Sequence, residues 1–149
     1  MKLITLDPYN SEHKNIIDKS LKKDIFKNYM KISSILSKEE YEENKNNTNE
    51  ISEYLLKVEN DEIRNYCFFS GTKDNRLVQI VLENLLDKSF LEESTNYAFQ
   101  VLNAHTITIF SDKDDQGLEK IGFESLGKEN GITTYIKEKD MTMQIEKVR

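Results

Sequence analysis

The stretch best placed to do chemistry is LDKSFLEES at residues 86–94, which follows the apolar run at 77–82. A strand that leads directly into a helix is a common phosphate-binding place, because the first helical N–H groups are free and the helix dipole is positive there. Such sites usually contain glycine, which allows close approach to the backbone, and this stretch has none. Ser89 and Glu92 instead form a Ser-x-x-Glu pattern, which predicts a capping box with Ser89 as the N-cap.

The charges around this predicted helix start are mainly negative. Asp87, Glu92 and Glu93 outnumber the single cation, Lys88. Each carboxylate near a helix N-terminus stabilises the helix by about 0.3–1 kcal/mol, and each would repel a phosphate group. The segment therefore predicts a self-capped helix whose own residues oppose the ligand that its position would attract.

Other reactive side chains are few. Cys67 is the only cysteine and lies between aromatic residues, so we interpret it as a buried strand residue and not as a nucleophile. The only histidines are His13 and His105, and His105 is interpreted as an ordinary residue at the start of a strand. The carboxylates at 39–43 are interpreted as a solvated helix face, not as a metal site.

Length and charge limit the function further. The 149 residues are the usual size of one domain, so we predict a single domain over 1–149. The net charge is −6, and 8 basic against 13 acidic residues follow Arg76, which argues against nucleic acid or an anionic membrane as partner. No apolar run approaches the roughly 20 residues that span a bilayer, and the start turns polar after Leu6, so a soluble cytoplasmic protein is expected.

The hydrophobic periodicity predicts the order of the elements. A strand at 3–6 precedes a helical region at 11–36 with a break near Ser20, then a short helix that Ser37 starts, then a polar loop at 44–50. Strands are predicted at 52–59, 62–70, 76–83, 105–111, 123–127 and 132–139, helices at 89–103 and 113–121, a turn at Asn130-Gly131, and a last possible strand at 141–148.

This order predicts a mixed α+β fold, with a mainly antiparallel central sheet and helices on both faces. The strand–helix–strand segment from 76 to 111 predicts one parallel step, because a crossover helix joins parallel neighbours. The last segment, 141–148, could be an edge strand of this sheet, a frayed tail, or a strand added to a partner's sheet, so a homodimer is left open.

The sequence LEKIGFE at 118–124, together with this element order, resembles the GNAT superfamily of acyl-CoA-dependent N-acyltransferases. In that family a short helix ends in a similar Gly-Phe run that begins the next strand. The resemblance implies a GNAT-like domain that transfers an acetyl group from acetyl-CoA to an amine. It also implies that the fourth and fifth strands splay apart around the cofactor.

The resemblance places the cofactor at the end of the fourth strand and the start of the next helix. The family's Arg or Gln position falls here on Leu86, and its two glycine positions fall on Ser89 and Leu91, so none matches. The implied cofactor-binding positions are Val81, Leu82, Leu86, Asp87, Lys88, Ser89, Phe90 and Leu91.

The catalytic positions of the family are also substituted. Its tyrosine, which protonates the leaving thiolate, falls on Leu118, and a common asparagine falls on Ser111. The region of its general base is Asn75-Arg76, neither of which is a base at neutral pH. Gln79 and Glu83 lie nearby, but the spacing singles out neither, so no catalytic residue is assigned.

Three functions therefore stand at the level of the sequence. The first is a GNAT-like binding or regulatory module with a degenerate acetyl-CoA site, and the second is an active N-acetyltransferase for an unknown amine. The third is an interaction protein of unrelated α+β fold. No cofactor is assigned, with acetyl-CoA or CoA as the candidates, no metal is expected, and the partner is a small amine or a protein.

Overall fold

The computed structural model describes residues 1–113 and 116–140, so the predicted strand at 141–148 lies outside the described residues. The strands are β1 (Lys2–Thr5), β2 (Glu50–Glu59), β3 (Glu62–Thr72), β4 (Leu77–Leu82), β5 (Thr106–Ser111), β6 (Glu124–Glu129) and β7 (Ile132–Glu138), and the helices are α1 (Ser11–Lys19), α2 (Lys23–Met30), α3 (Ile32–Ile35), α4 (Lys38–Asn47), α5 (Lys88–Gln100) and α6 (Gln116–Lys120).

Within the described residues, the strands form one seven-stranded sheet in the order β1-β2-β3-β4-β5-β7-β6. Every neighbouring pair is antiparallel except β4 and β5, which are parallel and are joined through α5. The predicted mixed, mainly antiparallel sheet with a single parallel step is therefore confirmed.

Helices cover both faces of the sheet, each over its own hydrophobic cluster. Phe26 of α2 packs on one face with Leu56 and Val58 of β2. On the other face, Phe90 and Leu91 of α5 and Leu118 of α6 pack with the apolar residues of β3, β4 and β5. The predicted two-sided arrangement follows from the alternation of side chains along each strand.

The N-terminal helices begin and end where local chemistry dictates, with one correction. Ser20 ends α1 in an extended conformation, which confirms the predicted break, and Ser37 forms a complete capping box with Glu40 at the start of α4. The predicted loop at 44–50 was wrong, because α4 continues to Asn47 and Thr48 is its C-cap. The short polar side chains there lowered the apparent helix propensity without preventing the last turn.

A β-bulge in the β2–β3 hairpin lies beside two side chains, Lys57 and Asn65, that contact the start of α5 and the loop before it. The register shifts between Lys57, which pairs with Asn65, and Val58, which pairs with Ile63. A bulge adds one residue to one strand and so redirects the side chains beside it. Here Lys57 and Asn65 become cross-strand partners that both contact the segment after β4.

The C-terminal hairpin has the predicted turn. Asn130 and Gly131 both have positive φ, 53° and 81°, as a two-residue turn of this kind requires. Gly122, with φ of 102°, follows α6 as predicted. Among the helices that the structure describes, none is both long and apolar enough to cross a membrane.

Candidate functional site

The parallel pair separates along its length. Leu77, Val78 and Gln79 of β4 pair with Thr106 to Thr108 of β5, and in the described part of the chain the pairing stops there although both strands continue. The outer ends of the two strands, at Leu82 and Ser111, are therefore free to diverge. This is the splay that the resemblance implies.

Side chains near the opening are largely apolar. Leu82 and Ile109 are buried beneath it, whereas Val81 and Phe110 are about half exposed on the face opposite α5. Ser111 is buried, and its hydroxyl donates to the carbonyl of Lys113 and accepts from its N–H. The position that the resemblance gives to an asparagine is thus occupied by a local turn.

The start of α5 is capped by Asp87, which corrects the prediction of a Ser89–Glu92 capping box. The Asp87 carboxylate accepts the N–H of Phe90 at 3.2 Å, while the Ser89 hydroxyl lies inside the first turn and donates to Glu93. The helix begins two residues earlier than the serine pattern indicated, because Asp is at least as good an N-cap as Ser.

A cation holds the cap in place. Lys57 Nζ lies 2.5 Å from the second carboxylate oxygen of Asp87, and both side chains are mostly buried. Burial acts to raise the pKa of Asp87, but hydrogen bonds from Lys57, the Phe90 N–H and Asn65 outweigh it and hold that pKa below its usual value. The start of α5 therefore carries an ionised carboxylate of the chain itself.

Asn65 fixes the loop between β4 and α5. It is 1% exposed, its amide nitrogen donates to the carbonyl of Asn84, and its oxygen accepts the N–H groups of Asn84 and Tyr66. Asn84 in turn accepts the N–H of Leu86. This network immobilises the backbone at the point where the resemblance predicts a phosphate cradle.

The remaining predicted cofactor positions differ in how far their side chains are exposed. Leu86 is 82% exposed, and Lys88 donates to the carbonyl of Leu85. Phe90 and Leu91 are fully buried in the core, so neither presents a side chain at the surface.

Leu118, at the position of the family tyrosine, is also fully buried in the cluster beneath α5 and α6. An aliphatic side chain has no proton to donate. Apart from Cys67, the one polar member of this cluster among the described residues is the buried Tyr135 of β7, which pairs with Ile109 of β5.

An ion pair lies where β4 ends. Lys22, between α1 and α2, lies 2.5 Å from Glu83 just after β4, and its ammonium also donates to the carbonyl of Ile63. Burial, followed by the charge of Glu83, raises the pKa of the neighbouring Tyr66. Glu83, which sequence spacing did not single out, is thus engaged by a cation, while Gln79 lies within the paired part of β4.

The region of the family's general base lies at the opposite end of β4. Asn75 belongs to the turn, and Arg76 has a positive φ of 50° and a guanidinium nitrogen 2.6 Å from His105 Nε2. The backbone N–H of His105 also donates to the carbonyl of Arg76. These contacts fix the chain just before β5, and the interpretation of His105 as an ordinary residue at the start of a strand stays a prediction.

The other reactive side chains are buried or are engaged in hydrogen bonds to the backbone. Cys67 is fully buried, and burial raises the pKa of its thiol to about 12, so it is not a thiolate at neutral pH. His13 Nδ1 accepts the backbone N–H of Asp7. Within residues 1–113 and 116–140, no group of three or more side chains is arranged to hold a metal ion.

Sequence reasoning missed Lys57 and Asn65, which hold the helix start. Lys57 appeared to be an ordinary polar residue on an alternating strand. Asn65 carried a weak signal, because asparagine is disfavoured inside strands. Their partners lie 30 and 19 residues further along the chain, which no local pattern reveals.

Comparison by sequence identifies no relative. No family model matches the chain, and no curated protein matches it.

Comparison by structure is informative. A chimera of the spermidine N-acetyltransferase SpeG from Vibrio cholerae and hSSAT superposes with a TM-score of 0.60 at 12% identity, covering 97% of this chain and 99% of that one. The N-acetyltransferase PseH of Campylobacter jejuni in complex with acetyl coenzyme A gives 0.59 at 14% identity, covering 93% and 99%. A dodecameric spermidine N-acetyltransferase from Vibrio cholerae gives 0.57 at 12%, covering 92% of each chain. The chain therefore has the GNAT acetyltransferase fold.

Proposed function

We propose that this chain is a GNAT-fold binding module that does not bind acetyl-CoA at the start of α5. The observation that carries the proposal is the Asp87 carboxylate, which accepts an N–H of the first turn and is paired with Lys57. A pyrophosphate bound there would need those N–H groups and would meet a fixed negative charge. The residues present do not fit that part of the cofactor.

The environment of the opening supports the same proposal. Leu118 and Ser111, at the positions of the family's tyrosine and asparagine, are buried in the core and in a local turn. Glu83 is engaged by Lys22, which lowers its value as a free base. Function depends on such sites and not on the fold, so the likeness to acetyltransferases supports the architecture alone.

A second candidate is an active N-acetyltransferase for an unknown amine. The splay of β4 and β5 favours it, because that gap is the feature in which the resemblance seats the cofactor. Positioning of two substrates can supply much of a rate enhancement without a dedicated acid or base. Self-association also stays a proposal, supported by one dodecameric structure of the same fold.

Titration with acetyl-CoA and with CoA separates the two candidates. A ligand present at 100 times its dissociation constant stabilises the folded state by about 2.7 kcal/mol. We expect no rise in melting temperature with either compound at millimolar concentration. An acetyltransferase of the same fold, measured alongside, shows that the assay detects CoA binding.

Stabilisation by acetyl-CoA, together with heat on mixing in calorimetry, would overturn the proposal and favour the acetyltransferase. The test should include a Ser89→Ala variant as a matched control. That change leaves the Asp87 cap intact, so its response should be the same as that of the unaltered chain.

A further inference from the structure

A cavity of about 810 Å³ lies at the end of the sheet opposite the splay. Its walls come from α2 to α4, from the start of β2, and from the C-terminal end of α5. It reaches Arg76 at the start of β4, whereas the pairing of β4 with β5 ends at Gln79, about 10 Å further along at 3.3 Å per residue, and the open end of the splay at Leu82 is about 20 Å away. Its size lies within the usual range for a small-molecule site.

The inner wall of the cavity contains a buried carboxylate. Glu53 is 6% exposed, although it belongs to a strand near the edge of the sheet. The hydroxyl of Tyr97 donates to one of its oxygens, and the hydroxyl of Thr5 donates to Tyr97 at 3.3 Å. Burial and then the hydrogen bond to Glu53 raise the pKa of Tyr97, so Tyr97 remains a donor.

The nearest cation pairs only loosely with this carboxylate. Lys45 Nζ lies 3.9 Å from the second oxygen of Glu53, and the lysine side chain is 49% exposed. A buried carboxylate is costly without a close positive partner. An incoming ammonium group could therefore replace Lys45 at a shorter distance without disturbing the bond from Tyr97.

Aromatic hydroxyl groups add acceptors to the lining of the cavity. Tyr29 and Tyr41 hydrogen-bond to each other at 3.1 Å, and Tyr29 also bonds to the carbonyl of Leu6. Both tyrosines line the cavity together with Tyr97. Aromatic faces near a carboxylate favour a cation, because the ring quadrupole attracts positive charge.

The outer part of the cavity has the opposite character. Lys73 and Arg76 line it and are exposed, and Lys73 donates to the carbonyl of Lys45 at 2.7 Å. With Lys45 displaced from Glu53, three cations would face the outer part of the cavity, against the one exposed carboxylate of Glu50. The lining thus offers a negative interior and a positive rim.

We propose that this cavity binds a small zwitterion, with its ammonium group on Glu53 and its carboxylate toward Lys45, Lys73 and Arg76. A free amino acid is the chemical class that carries both groups at this scale. The inference goes beyond the proposed function, because the cavity is separate from the β4–β5 opening. It stands whether or not acetyl-CoA binds there.

A series of ω-amino acids of increasing chain length tests the proposal, with the alkylamine and alkanoate of each length as controls. We expect at least one zwitterion to bind with a dissociation constant below about 1 mM. Glu53→Gln, which keeps size and an acceptor for Tyr97, should weaken it at least about tenfold. Lys73→Met should remove the preference for the zwitterion over the alkylamine. Glu43→Gln should change nothing, because Glu43 is exposed on α4, the helix of Lys45, and does not line the cavity.

Amide NMR shifts of the unaltered chain keep the test independent of variant folding. Binding should perturb signals at 41–53 and 97–103. Absence of any binding at about 10 mM, which is ten times that limit, would overturn the proposal. An alkylamine that binds as tightly as its zwitterion, or shifts confined to other regions, would overturn it equally. A response to CoA in the separate titration concerns only the other site.

Discussion

Replacing Asp87 by alanine tests the account of the α5 start most directly. The change removes the side-chain acceptor for the Phe90 N–H and the partner of Lys57 together. Loss of an N-cap costs about 1 kcal/mol, and loss of a charge-assisted hydrogen bond costs about 1.5–3 kcal/mol. Because both ionic side chains retain some exposure, 17% and 22%, we take the lower end and expect about 2–3 kcal/mol.

Asparagine at the same position separates the two contributions. Asn caps a helix as well as Asp does, but it carries no charge for Lys57. Asp87→Asn should therefore cost about 1–2 kcal/mol, less than the alanine variant. Ser89→Ala should stay within about 0.5 kcal/mol, because the Ser89 hydroxyl hydrogen-bonds to Glu93 in its own helix at a long 3.4 Å.

The pH dependence of the free energy of unfolding gives a second measure of the contribution of Asp87. The pKa of Asp87 is lowered in the folded state, so its contribution is complete well above the unfolded value of about 3.9 and is lost as the pH falls through the folded value. The difference between the unaltered chain and Asp87→Asn should be constant from about pH 5 to 8 and should shrink below about pH 4.

Urea unfolding followed by circular dichroism measures all of these differences, provided that the denaturant slopes agree. A loss below about 0.5 kcal/mol for Asp87→Ala would refute the assignment of the cap. So would a loss of about 1 kcal/mol or more for Ser89→Ala, which would restore the capping box that the sequence suggested.

One labelling experiment and two substitutions test the core and the sheet. Cys67 should stay unreactive toward a thiol reagent until the chain unfolds, because burial raises its pKa to about 12; rapid labelling of the folded chain would contradict this. Gly71→Ala should destabilise by more than about 2 kcal/mol in urea unfolding, because a Cβ there would lie 2.1 Å from the carbonyl oxygen of Leu77; an unchanged midpoint would refute that contact. Leu118→Ala should cost about 2–5 kcal/mol, since Leu118 is fully buried; a cost below about 1 kcal/mol would contradict its place in the core.

The elements were predictable where periodicity and caps acted locally. The break at Ser20, the capping box at Ser37 and the Asn130-Gly131 turn each depend on residues within four positions of one another. The parallel step also followed, because a strand, a helix and a strand leave few topologies.

The site was less predictable because it depends on contacts between distant segments. The sequence around Ser89 contained a valid capping pattern, and only the position of Lys57, 30 residues before Asp87, shows why the aspartate takes that role. The cavity around Glu53 combines segments from β1, α2 to α4, β2 and α5. No pattern of residue spacing in the sequence indicates that these segments meet.

The division of the core into two clusters has a consequence for synthesis on the ribosome. Among the described residues, the cluster on the α2 face is made of residues between Ile4 and Tyr66, so it can form before β4 has been translated. The cluster on the α5 face needs residues as far as Tyr135 and includes the parallel pair, which closes slowly because its strands are distant in sequence. A nascent chain would therefore pack one face of its sheet before α5, which covers the other face, has been synthesised.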